Sequence, residues 1–359
     1  MINLVNYFLC QLKQQNGAHR LRIITFAIPC YNSAAYIERC IDSLLPCGND
    51  AEVIIVNDGS TDETGKIADK YAVRYPDIIR VIHQENGGHG EAVNAGLKNA
   101  SGLYFKVVDS DDWIDGPGMI QVLKTLKTLV SANSAPDMMV CNYVYEKLQE
   151  GTRHVINYNN VFPCNKIFFW DEMRKFPPWK YLLMHSLIYK TQLLHKCGLV
   201  LPKHTFYVDN IFAYQPLPFV KTIYYLDVDL YHYFIGREDQ SVNESVMLKR
   251  IDQQLLVTRI LIGCHNLPGS ISSKKLSSYM LSHLAIMMTI CTVFLRISGT
   301  KEDNEKEKEL WAFLISSDNG LYRHAISRFL RMVANLPGNS GNKITIGLYN
   351  IARKVYKFN

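Results

Sequence analysis

RIITFAI at residues 22–28 and AEVIIV at residues 51–56 are short apolar runs, and the segment SAAYIERCIDSLL (33–45) between them has helical periodicity. The same alternation continues to residue 108, with the further segments TDETGKIADKYAVRY (61–75), IIRVI (78–82), GEAVNAGLKNA (90–100) and LYFKVV (103–108). Crossovers of this length produce parallel strands with helices on both faces, and such sheets bind ligands at the carboxyl ends of their strands. The sequence therefore predicts a Rossmann-like α/β fold with its chemistry at those strand ends.

The remainder of the chain has a looser pattern. We predict a helix near 118–131, strands near 137–145 and 222–235, and a mostly helical region from 247 to 335. These patterns divide the chain into three predicted parts, namely an N-terminal extension (1–21), an α/β domain (22–245) and a helical C-terminal region with a basic tail (246–359).

Composition and cysteine usage favour a cytoplasmic protein. The 359 residues are 48% hydrophobic and 20% charged, as in ordinary globular proteins. The nine cysteines form no CxxC pair, which favours a reducing compartment. The first residues, MINLVNYFLCQLKQQNG, lack the basic start and the cleavage site of a signal peptide. The apolar stretch from Tyr279 to Ile297 includes His283 and Arg296, so we predict a buried helix rather than a membrane span.

Positive charge is concentrated at the C-terminal end. Residues 321–359 contain seven Lys or Arg and no Asp or Glu, in a chain of net charge +6, so the remainder is close to neutral. The tail segment ITIGLYNIARKVYKF has apolar residues at near-helical spacing. Two interpretations stay open, an amphipathic helix lying on an anionic membrane or one packed on the protein. No nucleic-acid partner is expected.

The clearest local motif is VVDSDDWID (107–115), in which an apolar strand leads directly into Asp109, Ser110, Asp111 and Asp112. Crowded carboxylates repel one another, so a site that keeps them ionised usually includes a cation. Oxygen ligands of this kind suit Mg²⁺ or Mn²⁺. Because an isolated DxD is also compatible with a polar turn before a helix, the neighbouring motifs have to decide.

Two further predicted strands end in polar motifs. The first ends in IPCYNS and the second in NDGSTD, which places Pro29, Tyr31, Asn32 and Asp58 at neighbouring strand ends beside the aspartates. Taken alone, the NDGS sequence favours an ordinary turn residue at Asp58.

In their order and separation, these motifs resemble the family 2 glycosyltransferases. The resemblance is close over residues 23–115 and looser to about residue 243. It implies a GT-A fold, a nucleotide-sugar donor lying across the strand ends, and a divalent ion bridging the donor diphosphate to the aspartates. By the same resemblance, the IPCYNS segment would line the base and ribose, and Asp58 would accept a hydrogen bond from a uracil imide. Asp109 would hold the ribose or the ion, and Asp111 would ligate Mn²⁺ or Mg²⁺ directly.

Two other segments are candidates for donor binding. In HQENGGHGEAVN (83–94), the glycines allow close backbone approach and His89 would reach a phosphate, although an ordinary loop histidine is an alternative. Family members often carry an arginine at the position of Val93. The segment GREDQSVNES (236–245) resembles the family's loop over the diphosphate, with Arg237 and Ser241 as candidates, although Arg237 is also compatible with a solvated ion pair.

An inverting sugar transfer also needs a general base within reach of the acceptor hydroxyl. Family members place this base in an acidic pair, and the matching segment is LPKHTFYVDNIFAYQPL (201–217), where Val208 replaces the usual glutamate and Asp209 remains. We predict Asp209 as the catalytic base, with a helix cap as the alternative interpretation. The expected acceptor is a sugar or a lipid-linked sugar, as for relatives that build bacterial surface polysaccharides.

Other classes of function explain fewer of the motifs. A phosphatase of the haloacid dehalogenase type also uses DxD after a strand, but it would not explain IPCYNS or NDGSTD. A nucleotidyltransferase would need a glycine-rich loop after the first strand, and IPCYNS contains no glycine. A non-catalytic sugar- or nucleotide-binding module of the same fold remains open because Val93 and Val208 replace functional residues of the family.

Overall fold

The computed structural model of the chain describes residues 22–177, 180–235, 244–267, 269 and 271–317. The predicted N-terminal extension, the loop with Arg237 and Ser241, and the basic tail lie outside these described residues.

A parallel four-stranded unit forms one half of the sheet. Strand β1 (Ile24–Cys30) pairs in parallel with β2 (Ala51–Asp58) and β4 (Tyr104–Val107), and β2 pairs in parallel with β3 (Ile79–Gln84). The intervening helices are α1 (Ile37–Leu44), α2 (Thr64–Arg74) and α3 (His89–Asn99). Every residue of β1 and β2 is buried, as expected for central parallel strands that are covered on both faces.

The other half of the sheet mixes parallel and antiparallel pairs. Its elements are β5 (Trp113–Ile114), α4 (Gly116–Ser131), β6 (Met138–Lys147), β7 (Thr152–Ile156), β8 (Ile167–Phe168), β9 (Leu187–Lys190), α5 (Thr191–Lys196), α6 (Asp209–Tyr214) and β10 (Ile223–Phe234). Strand β9 lies antiparallel between β4 and β6, and β6 pairs in parallel with β10. The resulting order is β3-β2-β1-β4-β9-β6-β10-β5. The predicted α/β fold is confirmed.

A helical region follows the sheet, also as predicted, and packs against it. Its described helices are α7 (Glu244–Lys249), α8 (Ile251–Gly263), α9 (Lys274–Ser298) and α10 (Lys301–Ser317). Tyr279 of α9 accepts a hydrogen bond of 2.9 Å from the backbone N–H of Leu182, which ties this region to the α/β part.

Helix α9 contains the long apolar stretch noted in the sequence. Its length and composition alone would allow it to cross a membrane, and it is the one helix of the described residues that passes this test. However, 72% of its most apolar window is buried inside the protein, as in the core helix of a globular domain. The described cysteines are free thiols.

Candidate functional site

The carboxyl ends of β1 and β4 meet at one edge of the sheet. Val108, which follows β4, donates its backbone N–H to the carbonyl of Ala27 in β1. Just beyond these strands, the hydroxyls of Ser33 and Ser110 share a hydrogen bond of 2.7 Å. The IPCYNS and aspartate motifs therefore lie side by side, which is the arrangement that the sequence pattern predicted.

The three candidate residues of the IPCYNS motif lie in different environments. Pro29 is buried within β1, whereas Tyr31 is 52% exposed just beyond it. Asn32 adopts a φ of 49° and its side-chain oxygen accepts from the backbone N–H of Thr61 at 2.8 Å. This bond joins the loops that follow β1 and β2. The exposed ring of Tyr31 offers a flat apolar face to a ligand at this edge.

Asp58 lies at the end of β2 and is only 3% exposed. Its carboxylate accepts three hydrogen bonds, from the side chain of Gln84 at 2.7 Å and from the backbone N–H groups of Gly87 and Gly88 at 2.8 Å each. Asp58 therefore holds the glycine turn that precedes His89. The predicted contact of Asp58 with a uracil remains a prediction.

We expect Asp58→Ala to lower the free energy of unfolding by about 1.5–3 kcal/mol, because it leaves buried backbone donors without their charged acceptor. Nucleotide affinity should fall as well, since the turn that positions His89 loosens. Urea denaturation and titration with UDP would measure the two effects. Asp58→Asn keeps one acceptor oxygen and should lose less stability, whereas equal losses in both variants would contradict this role.

The glycine turn also contacts the segment that leads to Asp209. Gly88 has a φ of 82°, and a Cβ at this position would lie 2.9 Å from the backbone of His204. His204 donates its backbone N–H to the carbonyl of Gly87 at 2.7 Å. Two properties therefore favour glycine at position 88, namely the positive φ and the lack of space for a Cβ beside the backbone of His204. The two loops that lead into the helices beginning at His89 and Asp209 therefore pack directly on one another.

His89 and Asp109 form a hydrogen-bonded pair, with 2.8 Å between Nε2 and Oδ1. Burial alone would lower the pKa of His89, but the charge of Asp109 and the hydrogen bond between them raise it overall. Conversely, burial alone would raise the pKa of Asp109, and the charge of His89 lowers it overall. The structure thus joins, through one hydrogen bond, two residues predicted to bind the donor.

Asp112 lies in a different environment from its two neighbours in the motif. It is fully buried, and it accepts hydrogen bonds from the hydroxyl of Tyr231 at 2.5 Å and from the backbone N–H of Phe234 at 2.8 Å. Burial, together with the charges of Asp111 and Asp109, raises its pKa well above the usual range. Asp112 connects the aspartate motif to β10, a role that the motif itself does not reveal.

His185 is a residue of this site that the sequence did not indicate. It lies just before β9, with its ring 4.6 Å from that of Tyr231 and 4.5 Å from that of Tyr233. Its Nδ1 is buried, has no hydrogen-bond partner among the described residues, and lies 3.9 Å from Oδ2 of Asp109. Burial lowers the pKa of His185 to about 4, so the ring is neutral and can donate a lone pair. No motif surrounds it, and only folding places it beside Asp109.

The structure contains a group of side chains that suits a divalent cation. Ligand atoms of Asp109, Asp112 and His185 all lie within 4.8 Å of one another. Asp109 and the free nitrogen of His185 offer an oxygen and a nitrogen ligand to a first-row divalent metal, whereas both oxygens of Asp112 already accept hydrogen bonds. Asp111 is not one of the three, and its backbone carbonyl accepts a hydrogen bond of 2.7 Å from Arg39. Direct ligation by Asp111 therefore remains a prediction from resemblance.

Asp209 is the first residue of α6 and is partly buried. Burial, aided by the charge of Asp109 and opposed by that of His89, raises its pKa to about 6. The charges of the His89–Asp109 pair are thus among the causes of this shift. The residue before it, Val208, is 1% exposed and packs in the core. A carboxylate whose pKa lies near neutrality, close to a charged pair, is suited to accept a proton.

Three further positions relevant to donor binding are Val93, Arg237 and Ser241. Val93, where relatives carry arginine, is 1% exposed and packs in the hydrophobic core. A basic side chain would therefore not fit there without rearrangement. Arg237 and Ser241 lie outside the described residues, so their assignment to donor binding stays a prediction.

Comparison with known proteins connects this geometry to a family. Residues 25–197 match the model of the family described as Glycosyl transferase family 2. EpsH of Bacillus subtilis (strain 168), which is named as a glycosyltransferase, is 31% identical over 220 residues, which cover 59% of this chain and 60% of EpsH. The chain thus spans about 60% of the length of this curated relative.

Solved structures show the same fold. S. aureus TarS in complex with UDP-GlcNAc superposes with a TM-score of 0.63 at 18% identity, covering 93% of this chain and 91% of that structure. The mannosyltransferase PcManGT of Pyrobaculum calidifontis, in complex with GDP-Man and Mn²⁺, superposes with a TM-score of 0.51 at 16% identity. The superposition covers 88% of this chain and 92% of the PcManGT chain. No feature of the described residues favours the phosphatase interpretation. Residues 25–197 thus match the family 2 glycosyltransferase model, and the chain has the GT-A fold predicted from its motifs.

Proposed function

We propose that this chain is a metal-dependent glycosyltransferase that moves a sugar from a nucleoside diphosphate, with UDP as the preferred carrier, to an acceptor hydroxyl. The observation that carries the proposal is the convergence of three elements at one sheet edge. Exposed Tyr31 provides a surface for the base, the His89–Asp109 pair provides charge, and Asp209 provides a base of raised pKa. The family match and the fold agree with this assignment.

The donor would lie across the carboxyl ends of β1, β2 and β4, with its base against Tyr31. Protonated His89 would supply positive charge close to the diphosphate, in a chain whose Val93 cannot do so. Asp109, Asp111 and their neighbours would hold Mn²⁺ or Mg²⁺. When bound, such an ion neutralises negative charge on the leaving diphosphate.

Asp209 would accept the proton of the acceptor hydroxyl. Its partly buried position keeps water away from the carboxylate and raises its affinity for a proton. Attack on the face opposite to the diphosphate would invert the configuration of the sugar, as the resemblance to the family implies.

The wider role follows from the relatives. We infer that the acceptor is a sugar or a lipid-linked sugar used in a bacterial polysaccharide or glycoconjugate, and that the enzyme acts in the cytoplasm. The basic tail, with seven Lys or Arg in residues 321–359, would let it touch an anionic membrane surface from that side. Residues 22–245 would form the catalytic domain, and residues 246–359 the helical region with the tail.

Calorimetric titration with UDP tests the proposed function. We expect binding in the presence of Mn²⁺ and its loss when EDTA is in excess, because the diphosphate and the aspartates repel each other without a cation. A panel of nucleotide sugars, followed by UDP release, would then identify the donor sugar. Binding that is absent, or that does not depend on the metal, would contradict the proposal.

A further inference from the structure

We propose that His185 supplies a nitrogen ligand to the divalent cation through Nδ1, beside Asp109, and that this ligand makes the site prefer Mn²⁺ to Mg²⁺. The inference rests on the proposed function and goes beyond the aspartate motif, which contains oxygen ligands alone.

The first argument is the unpaired nitrogen. Buried polar atoms in folded proteins nearly always have a partner, and a buried nitrogen without one costs about 1–3 kcal/mol. Among the described residues, Nδ1 of His185 has no hydrogen-bond partner. The neighbouring side chain, Asp109, lies too far away for a hydrogen bond at 3.9 Å.

The second argument is distance. Two ligands of an octahedral ion with bonds of 2.0–2.1 Å lie about 2.9 Å apart when adjacent and about 4.1 Å apart when opposite. The 3.9 Å between Nδ1 of His185 and Oδ2 of Asp109 is close to the spacing of opposite ligands. The other oxygen of Asp109 accepts from His89, so Oδ2 is the atom directed towards the proposed ion.

The third argument is the support of the ring. His185 lies between Tyr231 and Tyr233, and its backbone carbonyl accepts a hydrogen bond of 2.6 Å from the buried ammonium of Lys106. Metal sites need ligands whose orientation is fixed by surrounding contacts. A buried histidine held in this way, with a free nitrogen, has the properties of such a ligand.

Metal preference follows from ligand chemistry. Carboxylates and water suit both Mg²⁺ and Mn²⁺, whereas Mg²⁺ is a harder cation that is bound through oxygen and accepts a nitrogen ligand less readily than Mn²⁺. With His185 as a ligand, the site should bind Mn²⁺ more tightly than Mg²⁺, and this preference should depend on the ring nitrogen.

Electron spin echo envelope modulation of Mn²⁺ bound with UDP tests the assignment directly. In the wild-type protein we expect hyperfine coupling to a histidine nitrogen, which changes when the histidines carry ¹⁵N. His185→Phe retains a ring between the two tyrosines but has no nitrogen, so the coupling should disappear. His89→Gln is the matched control, because His89 is the other histidine in contact with Asp109 and its loss should leave the coupling in place.

Metal affinity provides a second readout. Titration of Mn²⁺ followed by its free-ion spectrum should show at least about a tenfold loss of affinity in His185→Phe, the size of loss that supporting residues of metal sites already produce. Mg²⁺ affinity, measured by competition, should change less. Circular dichroism and thermal melting would show whether the variant is folded.

The outcomes separate this inference from the proposed function. Wild-type protein that binds UDP with Mn²⁺ but shows no nitrogen coupling would refute the role of His185 and leave the glycosyltransferase assignment intact, whether or not the variant folds. Coupling that is lost in His89→Gln and kept in His185→Phe would also refute it. Protein that binds neither Mn²⁺ nor UDP would overturn both.

Discussion

Asp209→Asn is expected to lower kcat by about 10²–10⁴-fold, the usual contribution of a general base, while the Kd for UDP stays nearly unchanged. The substitution retains the size of the side chain and its ability to accept a hydrogen bond, but it removes the site for the proton. Asp209 lies at the start of α6, whereas Tyr31 follows β1, so the two residues belong to different elements. Steady-state kinetics together with UDP titration would separate the two effects.

The pH dependence of kcat/KM provides an independent check on the same residue. Because burial raises the pKa of Asp209 to about 6, the carboxylate is the predominant form above that pH and is lost below it. We therefore expect kcat/KM to fall about tenfold for each pH unit below 6. The residual activity of Asp209→Asn should lack this acidic limb.

The matched control for Asp209 is Asp252→Asn, which removes the charge of an exposed aspartate that pairs with Lys306 in the helical region. Exposed pairs contribute little, so its turnover and stability should stay close to the wild type. Unchanged turnover in Asp209→Asn would remove this residue from the mechanism.

His283→Phe is expected to weaken the dependence of protein stability on acidic pH. His283 lies on α9 with its ring 5.0 Å from that of Tyr181 and 5.2 Å from that of Tyr214, and both ring nitrogens are buried without a hydrogen-bond partner among the described residues. Burial lowers its pKa to about 3. The folded protein thus keeps this histidine neutral where the unfolded chain protonates it.

The number of protons bound by the folded and unfolded states decides whether stability rises or falls with pH. Below the ordinary histidine pKa of about 6.5, the unfolded state binds more protons at this position, so stability falls as the pH falls towards 3. Between pH 6.5 and 5, this amounts to about 2 kcal/mol of unfolding free energy, at 1.36 kcal/mol per pH unit. The variant should lose this part of the slope and, by removing unpaired nitrogens, should be at least as stable at neutral pH.

Urea denaturation at several pH values would measure this slope in His283→Phe and in His154→Gln, a substitution of an exposed histidine on β7. We expect the slope to change in the first variant alone. An identical slope in His283→Phe and the wild type would show that His283 is not held neutral by the packing of α9 against the α/β part.

Local sequence predicted the framework of this protein well. Apolar runs of strand length alternate with helical segments through residue 108, and this period specified β1 to β4 and their parallel connections. Since the carboxyl ends of parallel strands lie at the same edge of a sheet, the sequence alone predicts that the motifs after β1, β2 and β4 are neighbours. The apolar but interrupted stretch from 279 to 297 likewise predicted the buried helix α9.

Contacts between distant segments were decided by the tertiary structure. Nothing next to His185 in the chain indicates a site. The residue comes close to Asp109, 76 positions earlier in the chain, because β9 lies antiparallel between β4 and β6. Similarly, Asp112 turns inward because Tyr231 of β10 offers it a hydroxyl. Asp58 holds the glycine turn through bonds that a turn motif does not specify.

The sequence by itself thus determined the succession of strands and helices near the N-terminus and the sheet edge where the motifs meet, because both follow from local periodicity and strand direction. The tertiary structure alone decided which side chains face one another at that edge, which of the three aspartates is buried, and which histidine has a free nitrogen. These properties depend on packing, hydrogen-bond partners and burial between segments far apart in the chain, and local patterns carry no information about them.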